Sequence, residues 1–335
     1  MVAFATPARA GLDEAEISIL SFDDLHGWAD DDHNAAMAVF LETCAQLHDP
    51  QWQPICGMAE NYDGPAKSFF ELFFRPVLIK DGTDPLFTAY FEPELAGSRY
   101  QTAQFRYPLY RKPPELASGT AWLTREQIES GHALQGRGLE IAWVSDPVAL
   151  QFMQIQGSGR VRLSDGSIIR LGYAGSNGHP FRSLGDELAR RGVLSRSQAS
   201  AARISAWVKA HPAQADSLLH HNPSYVFFRV LGSISGDSGP VGAMNRSITA
   251  RRSLAVDPEF TPLGAPVWLE KAGADPFNRL MVAQDTGSRI KGAQRADVFF
   301  GSGAEAGRLA GQVHDNGRMV VLLPIQRAYR LKPEG

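Results

Sequence analysis

The sequence predicts a mainly β protein with several helices, in which short strands close into a barrel and do not form a doubly wound sheet. Three observations carry this expectation. From Tyr225 onward the chain repeats short apolar runs between turn residues: YVFFRVL, ITARRSLAV, APVWLE, RLMVAQ, ADVFF and RMVVLLP. Its 335 residues exceed what one core usually fills, so a large domain and a smaller one are expected. The texture also breaks after Pro93, where RYPLYRKPPEL is proline-rich and basic.

Taken in order, residues 34–48 set Met37, Phe40, Leu41, Cys44 and Leu47 at helical spacing behind Asn34 as cap. A second helix is expected over residues 68–74, which carry four phenylalanines. Residues 86–92 alternate as a strand, with Phe87, Ala89 and Phe91 on one face and Thr88, Tyr90 and Glu92 on the other. A capping box at Thr124 and Gln127 starts a short helix. The runs LEIAWV, RVRLS and SIIRLG, punctuated by Gly157, Gly159 and the Asp165-Gly166 turn, predict a small antiparallel sheet. Helices are expected over residues 183–191 and 198–210, and one more over residues 304–313 among the C-terminal strands.

A net charge of -3 supplies no basic field for a phosphate backbone, which argues against a nucleic-acid partner. No apolar run reaches the ~18 residues that suggest a membrane span. The opening MVAFATPARAGLDEAE lacks the pattern of a signal peptide, although Ala8-Arg9-Ala10 fits the remnant of a small-residue cleavage site. Two cysteines are too few for a disulfide scaffold, and Cys44 on an apolar helical face reads as a buried thiol in preference to the alternative, a Cys44–Cys56 disulfide.

Among groups able to do chemistry, Asp30-Asp31-Asp32-His33 is the densest set of metal-ligand types, but its spacing fits no zinc or calcium loop. It reads as a solvated acidic turn. His220 and His221 suit the negative end of a helix. Ser158 in Gln156-Gly157-Ser158-Gly159 lacks the strand-elbow-helix setting of a hydrolase nucleophile, and a tight turn between strands accounts for the glycines. No phosphate-binding glycine loop is present. There remain Asp285 and Asp297, each at the border of an apolar strand, where an aspartate is more often a turn or cap residue than a catalyst.

Three separated segments change that balance. FTAYFEP at 87–93 with YPLYRKPP at 107–114, then MQIQGSGRVRLSDGS, GYAGSNGHPFRSLG and NPSYVFF, and finally SLAVD through Asp285 to ADVFFGSG, together resemble the membrane-bound lytic murein transglycosylase A family. The likeness runs from about Asn61 to Leu323. It implies a large domain of residues 1–92 and 232–335 built on a double-psi β-barrel. It also implies a smaller β-barrel-like domain of residues 93–231 inserted within it, with a glycan groove between the two.

The activity so implied is cleavage of the β-1,4 bond between N-acetylmuramic acid and N-acetylglucosamine in peptidoglycan. The muramyl C6 hydroxyl takes the place of water, leaving a 1,6-anhydro ring. The resemblance puts the single acid, then base, on Asp297, with Asp285 and Asp257 in support. Thr88, Tyr90, Gln156, Gly157, Ser158 and Gly159 are expected to bind sugar, while Tyr173, Asn177, His179 and Arg182 brace the inserted domain. The chemistry requires no metal and no organic cofactor, and the expected location is the periplasm. The family name implies a lipid-anchored cysteine and none stands near residue 1, which leaves two readings open: outer-membrane association through a segment not in this sequence, or a soluble periplasmic form. An ordinary aspartate, with a pKa near ~3.9, is protonated in only about one molecule in a thousand at pH 7, so the acid role needs a raised pKa. Val298, Phe299 and Phe300 could supply it by desolvation, and a nearby Asp285 would act in the same sense. Two other readings stay open: a lysozyme-type hydrolase with Asp285 or Glu92 as second carboxylate, and a non-catalytic glycan-binding double-psi barrel.

Overall fold

The computed structural model describes residues 11–117, 119–232, 239–273 and 275–331. Ala8-Arg9-Ala10 lies outside them. The chain divides into two compact units, Met1–Phe91 with Asp237–Gly335, and Glu92–Gly236. In sequence the second interrupts the first.

The first unit begins with β1 (Glu16–Ile19), α1 (His33–Cys44), α2 (Gln53–Glu60), α3 (Ala66–Phe73), β2 (Phe74–Lys80) and β3 (Leu86–Glu92). The phenylalanine-rich run is a helix only to Phe73, and Phe74 opens a strand. Phe69, Phe70 and Phe74 are all fully buried and pack with Phe40 of α1, whose ring lies 5.9 Å from that of Phe74. Two expectations are corrected in this region. Cys44 is not a free thiol: it is disulfide-bonded to Cys56 of α2, with the two Cα atoms 5.5 Å apart. The acidic run is not simply a solvated turn either. Asp32 is the residue that caps α1, accepting from the Ala35 amide, and Asp31 forms a mostly buried two-armed ion pair with Arg252 at 2.7 and 3.0 Å. Sequence cannot show a partner 221 residues away.

The second unit holds β4 (Glu94–Ser98), β5 (Tyr107–Tyr110), α4 (Arg125–Glu129), β6 (Glu140–Val144), α5 (Pro147–Gln156), β7 (Gly159–Leu163) and β8 (Ile168–Ser176). Then come α6 (Leu184–Arg190), α7 (Ala201–Ala210), α8 (Pro212–Leu219) and β9 (Val226–Val230). Its strands run in the order β5-β6-β4-β7-β8-β9. A bridge between Arg111, just past β5, and Phe228 of β9 brings the two edges together, so the sheet is nearly a closed barrel. The expected antiparallel sheet is in fact mixed, because β4 and β7 pair in parallel. A parallel pair needs a long crossover, which the 60 residues between Ser98 and Gly159 supply. Within it, Asp146 caps α5 through the amides of Val148 and Ala149. The element before Gly157 is therefore a helix, not the strand expected there.

The chain then returns to the first unit as β10 (Ser253–Val256), β11 (Pro266–Lys271), β12 (Phe277–Thr286), β13 (Arg295–Ser302), α9 (Gly303–Ala310), β14 (His314–Asp315), β15 (Gly317–Pro324) and α10 (Ile325–Leu331). Nine strands form one sheet in the order β1-β2-β15-β11-β12-β10-β13-β3-β14. One face of it packs with the helices in a core around Trp268, Leu280 and Val320, and the other encloses Phe87, Leu254, Val256, Met281 and Val298. At ~25 cal/mol per Å² of apolar surface, each such fully buried side chain stabilises the fold by about 1.5–3 kcal/mol.

Candidate active site

The site grows from β10 and its two neighbours. Ala255 is the Cα partner of Asp285 on β12 and also of Asp297 on β13. The two aspartates thus flank one small residue, about two strand spacings or ~10 Å apart at Cα. A bulge creates this register: Leu254 pairs with Ala283, but Ala255 pairs with Asp285, leaving Gln284 as the extra residue. Gln284 turns into the interior, where its amide donates to Thr43 Oγ1 at 2.8 Å and its carbonyl accepts from Ser253 Oγ. Asp285 faces the other way. The kink is thus tied to the end of α1, one residue from Cys44.

β3 supplies the next layer through its alternation. Thr88 and Tyr90 share the face that meets the aspartates, while Phe87, Ala89 and Phe91 pack into the second core. Thr88 Oγ1 donates to Asp297 Oδ1 at 2.7 Å. Tyr90 Oη donates to Asp285 Oδ2 at 2.9 Å, and its ring packs 5.3 Å from that of Phe299. Asp285 Oδ1 accepts from the Ala243 and Thr286 amides, both at 2.9 Å. Both oxygens of Asp285 are therefore engaged. Asp297 is different: among the described residues only Thr88 hydrogen-bonds it, and Oδ2 is left open.

The electrostatics follow from this inventory. Burial pushes the Asp297 carboxyl above the usual range, opposed by the Thr88 hydrogen bond and the Arg295 guanidinium and helped by the Asp285 charge. Asp285 is also raised by burial, against its amide donors and Tyr90. The Tyr90 phenol is pushed well above its ordinary value by burial, then by Asp285 and Asp297, so it stays a donor. Asp257 behaves in the opposite way. Only 2% exposed, it accepts from the Gly292 amide at 3.0 Å, Lys291 Nζ at 3.2 Å and the Glu259 amide at 3.4 Å. Burial alone would raise its pKa, but these donors together hold it below the usual range.

The remaining candidates lie in the second unit. Gln156 ends α5, and Gly157 is its left-handed cap at φ +75°, donating to Met153 O. A Cβ on Gly159 would stand 2.5–2.8 Å from three atoms of the Met153 side chain, so any larger residue there would require Met153 to shift. Ser158 is half-buried between them. Asn177 is fully buried and ties Leu123 O, Pro223 O and the Tyr225 amide together; His179 holds Trp122 O at 2.7 Å, and the Arg182 amide donates to Asn222. These three brace the unit. Tyr173 is half-exposed beside Gly157. Glu92 is fully buried against Arg160 at 2.6 Å and Arg170 at 3.3 Å, a salt-bridged setting unlike that of a free second carboxylate.

Sequence reasoning missed Arg295 and the Ala243 amide. Arg295 stands two residues before Asp297 on one strand, so period-two alternation could have placed it on the same face. A backbone amide leaves no such signal. Among the described residues no three His, Cys, Asp or Glu side chains gather to hold a metal, and no helix is long and apolar enough to cross a membrane.

Comparison with known proteins brings the two units together under one description. Residues 86–229 match the model of the MltA specific insert domain and residues 252–323 that of the 3D domain. The membrane-bound lytic murein transglycosylase A of Escherichia coli K12 is 35% identical over 247 residues, covering 70% of this chain and 65% of the relative. That of Vibrio cholerae is 32% identical over 265 residues, 74% and 69% of the two chains. The chain thus spans about two thirds of the length of these curated relatives. Among solved structures, MltA from Neisseria gonorrhoeae superposes with a TM-score of 0.83 at 33% identity, covering 92% of this chain and 93% of that one. The Agrobacterium tumefaciens membrane-bound lytic murein transglycosylase gives 0.82 at 35%, covering 95% and 100%. E. coli MltA with bound chitohexaose gives 0.74 at 27%, covering 92% and 94%. The fold is accordingly the double-psi barrel of these proteins with its inserted, smaller barrel.

Proposed function

The chain belongs to the membrane-bound lytic murein transglycosylase A family, and from that premise we propose that it cleaves peptidoglycan glycan strands without water. The bond cut is the β-1,4 link from N-acetylmuramic acid to N-acetylglucosamine. Asp297 protonates the leaving oxygen; the muramyl C6 hydroxyl then attacks C1 of its own ring while the same carboxylate takes the hydroxyl proton. The products are a free N-acetylglucosamine end and a 1,6-anhydro-muramyl end, with no net change in atoms.

One observation carries the assignment: of the three aspartates, Asp297 alone combines a raised pKa with an oxygen free of donors. Asp285, pinned by three donors, is a fixed neighbour whose charge adds to the burial that raises the Asp297 pKa. Asp257 fixes the loop before β13. Thr88 and Tyr90 orient the carboxylates, and Gln156 and Ser158 offer an amide and a hydroxyl to sugar. The chitohexaose seen on the E. coli relative supports a glycan as ligand. A Cys44–Cys56 disulfide supports an oxidising compartment such as the periplasm.

The test is the chemistry of the ends. Digestion of purified sacculi followed by mass spectrometry should yield anhydro-muramyl ends, one water lighter than hydrolytic ones. Reducing muramic ends would establish a hydrolase, and binding without soluble fragments a glycan-binding module.

A further inference from the structure

Arg295 is half-buried and spends its donors on the strand that carries Asp297 and on its neighbour β3. Nη1 donates to Leu86 O at 3.3 Å and to Ala296 O at 2.5 Å, and Nη2 to Thr88 Oγ1 at 2.8 Å. A guanidinium has only donors, and a threonine hydroxyl has one proton with lone pairs to accept. The polarity of the chain is therefore settled by composition. Thr88 must accept from Arg295, and its single proton must go to Asp297 Oδ1.

We propose that Arg295 is a positioning residue for Asp297, acting through Thr88: it orients the hydroxyl that occupies Oδ1, and so reserves Oδ2 as the oxygen that gives and takes the proton. The inference rests on the reading of Asp297 as acid and base. A second consequence concerns poise. The guanidinium charge opposes the burial that lifts the Asp297 pKa, and so keeps the acid a competent proton donor to the leaving oxygen. Without it the acid form would be more populated but a weaker donor. Two other titratable groups interact with the same carboxylate, Asp285 on β12 and Tyr90 on β3, and Arg289 in the loop before β13 acts on Arg295. Each is left in place by the variants below.

The experiment is a 13C-carboxyl titration of Asp297 in the whole protein, its resonance identified by its absence in Asp297→Asn. In wild type it should titrate above an ordinary aspartate. In Arg295→Gln it should titrate higher still, by about one pH unit, the lower end of what an opposite charge at this range supplies. Arg295→Lys should recover part of the shift. Thr88→Val leaves Arg295 intact but breaks the relay, and should raise the value as well; in the double variant the shift should be less than the sum of the singles. The basic limb of anhydro-product formation should move with the titration, and kcat should fall while KM stays near wild type. An unchanged or lowered Asp297 pKa in both single variants, or strictly additive shifts, would overturn the proposal. If the protein releases no anhydro ends at all, the reading of the reaction fails while the titration still decides the role of Arg295.

Discussion

Asp257, just after β10, and Asp297, on the neighbouring strand β13, lie in one short C-terminal module, and the protein treats them in opposite ways. Asp257 follows β10 in a cradle of two amides and a lysine ammonium, so its charge is wanted where it is. Asp297 stands mid-strand with one hydroxyl donor and burial working against its charge. The first carboxylate contributes stability and the second costs it. The lesson is that donors and desolvation act together: three donors, one of them a charged ammonium, outweigh burial at Asp257, whereas burial outweighs the single donor at Asp297.

The sharpest way to break this comparison is to neutralise both. Asp297→Asn should lower release of soluble muropeptides by about 10²–10⁴, the usual worth of a positioned acid-base group. Asp257→Asn should leave a measurable enzyme but lower the unfolding free energy by about 1.5–3 kcal/mol, because a charged acceptor serving buried donors is lost. Urea midpoints read that loss. If the stability order were reversed, the donors around Asp257 would not be what sets the two carboxylates apart.

Stability against pH gives the same contrast a sign. The Asp257 carboxyl is lowered in the folded state, so its contribution is present above the ordinary ~3.9 and disappears as pH falls through its folded value. Asp285 and Asp297 are raised, so their contribution is present below ~3.9 and is lost as pH rises through their folded values. Midpoints measured from pH 3 to 8 should therefore show Asp257→Asn losing its penalty at the acid end. Asp297→Asn should gain on wild type toward the neutral end.

A smaller effect is expected at Asp285. Its charge helps to raise Asp297, so Asp285→Asn should move the basic limb of activity downward by about half a pH unit, or ~3-fold at pH 7 on the limb. An upward shift would mean that Asp285 acts other than as a charge. Least of all, Gly292→Ala tests the cradle from its backbone side. Gly292 has φ +126° and an added Cβ would stand 3.1 Å from Asp81 Oδ2, so about 1 kcal/mol of stability should go, with the pH profile unmoved.

How far the sequence reveals this depends on the range of the interaction. The alternation over residues 86–92 correctly put Thr88 and Tyr90 on one face, because period two is a local property of the chain. The C-terminal strands were legible for the same reason, although only Ser253–Val256 of ITARRSLAV is a strand. Strands β1, β2, β4 and β5 were not recognised: Pro76 interrupts one, and the proline-rich texture of YPLY hid another that pairs with β6. Helix α5 escaped because its buried residues leave it without a one-sided apolar stripe. The bulge at Gln284, the partner of Asp31 and the Cys44–Cys56 bond depend on contacts between distant segments or on spatial approach, which residue patterns do not encode. Asp297 itself was picked out by resemblance. Its free oxygen is a property of the fold.

The most direct test of the account sets catalysis and stability side by side in one variant. Asp297→Asn should be assayed for anhydro-muramyl ends and, from the same preparation at pH 7, for its thermal midpoint. The account predicts near-complete loss of anhydro product with a midpoint equal to or above wild type. Retained anhydro product would contradict it, by removing Asp297 from the chemistry.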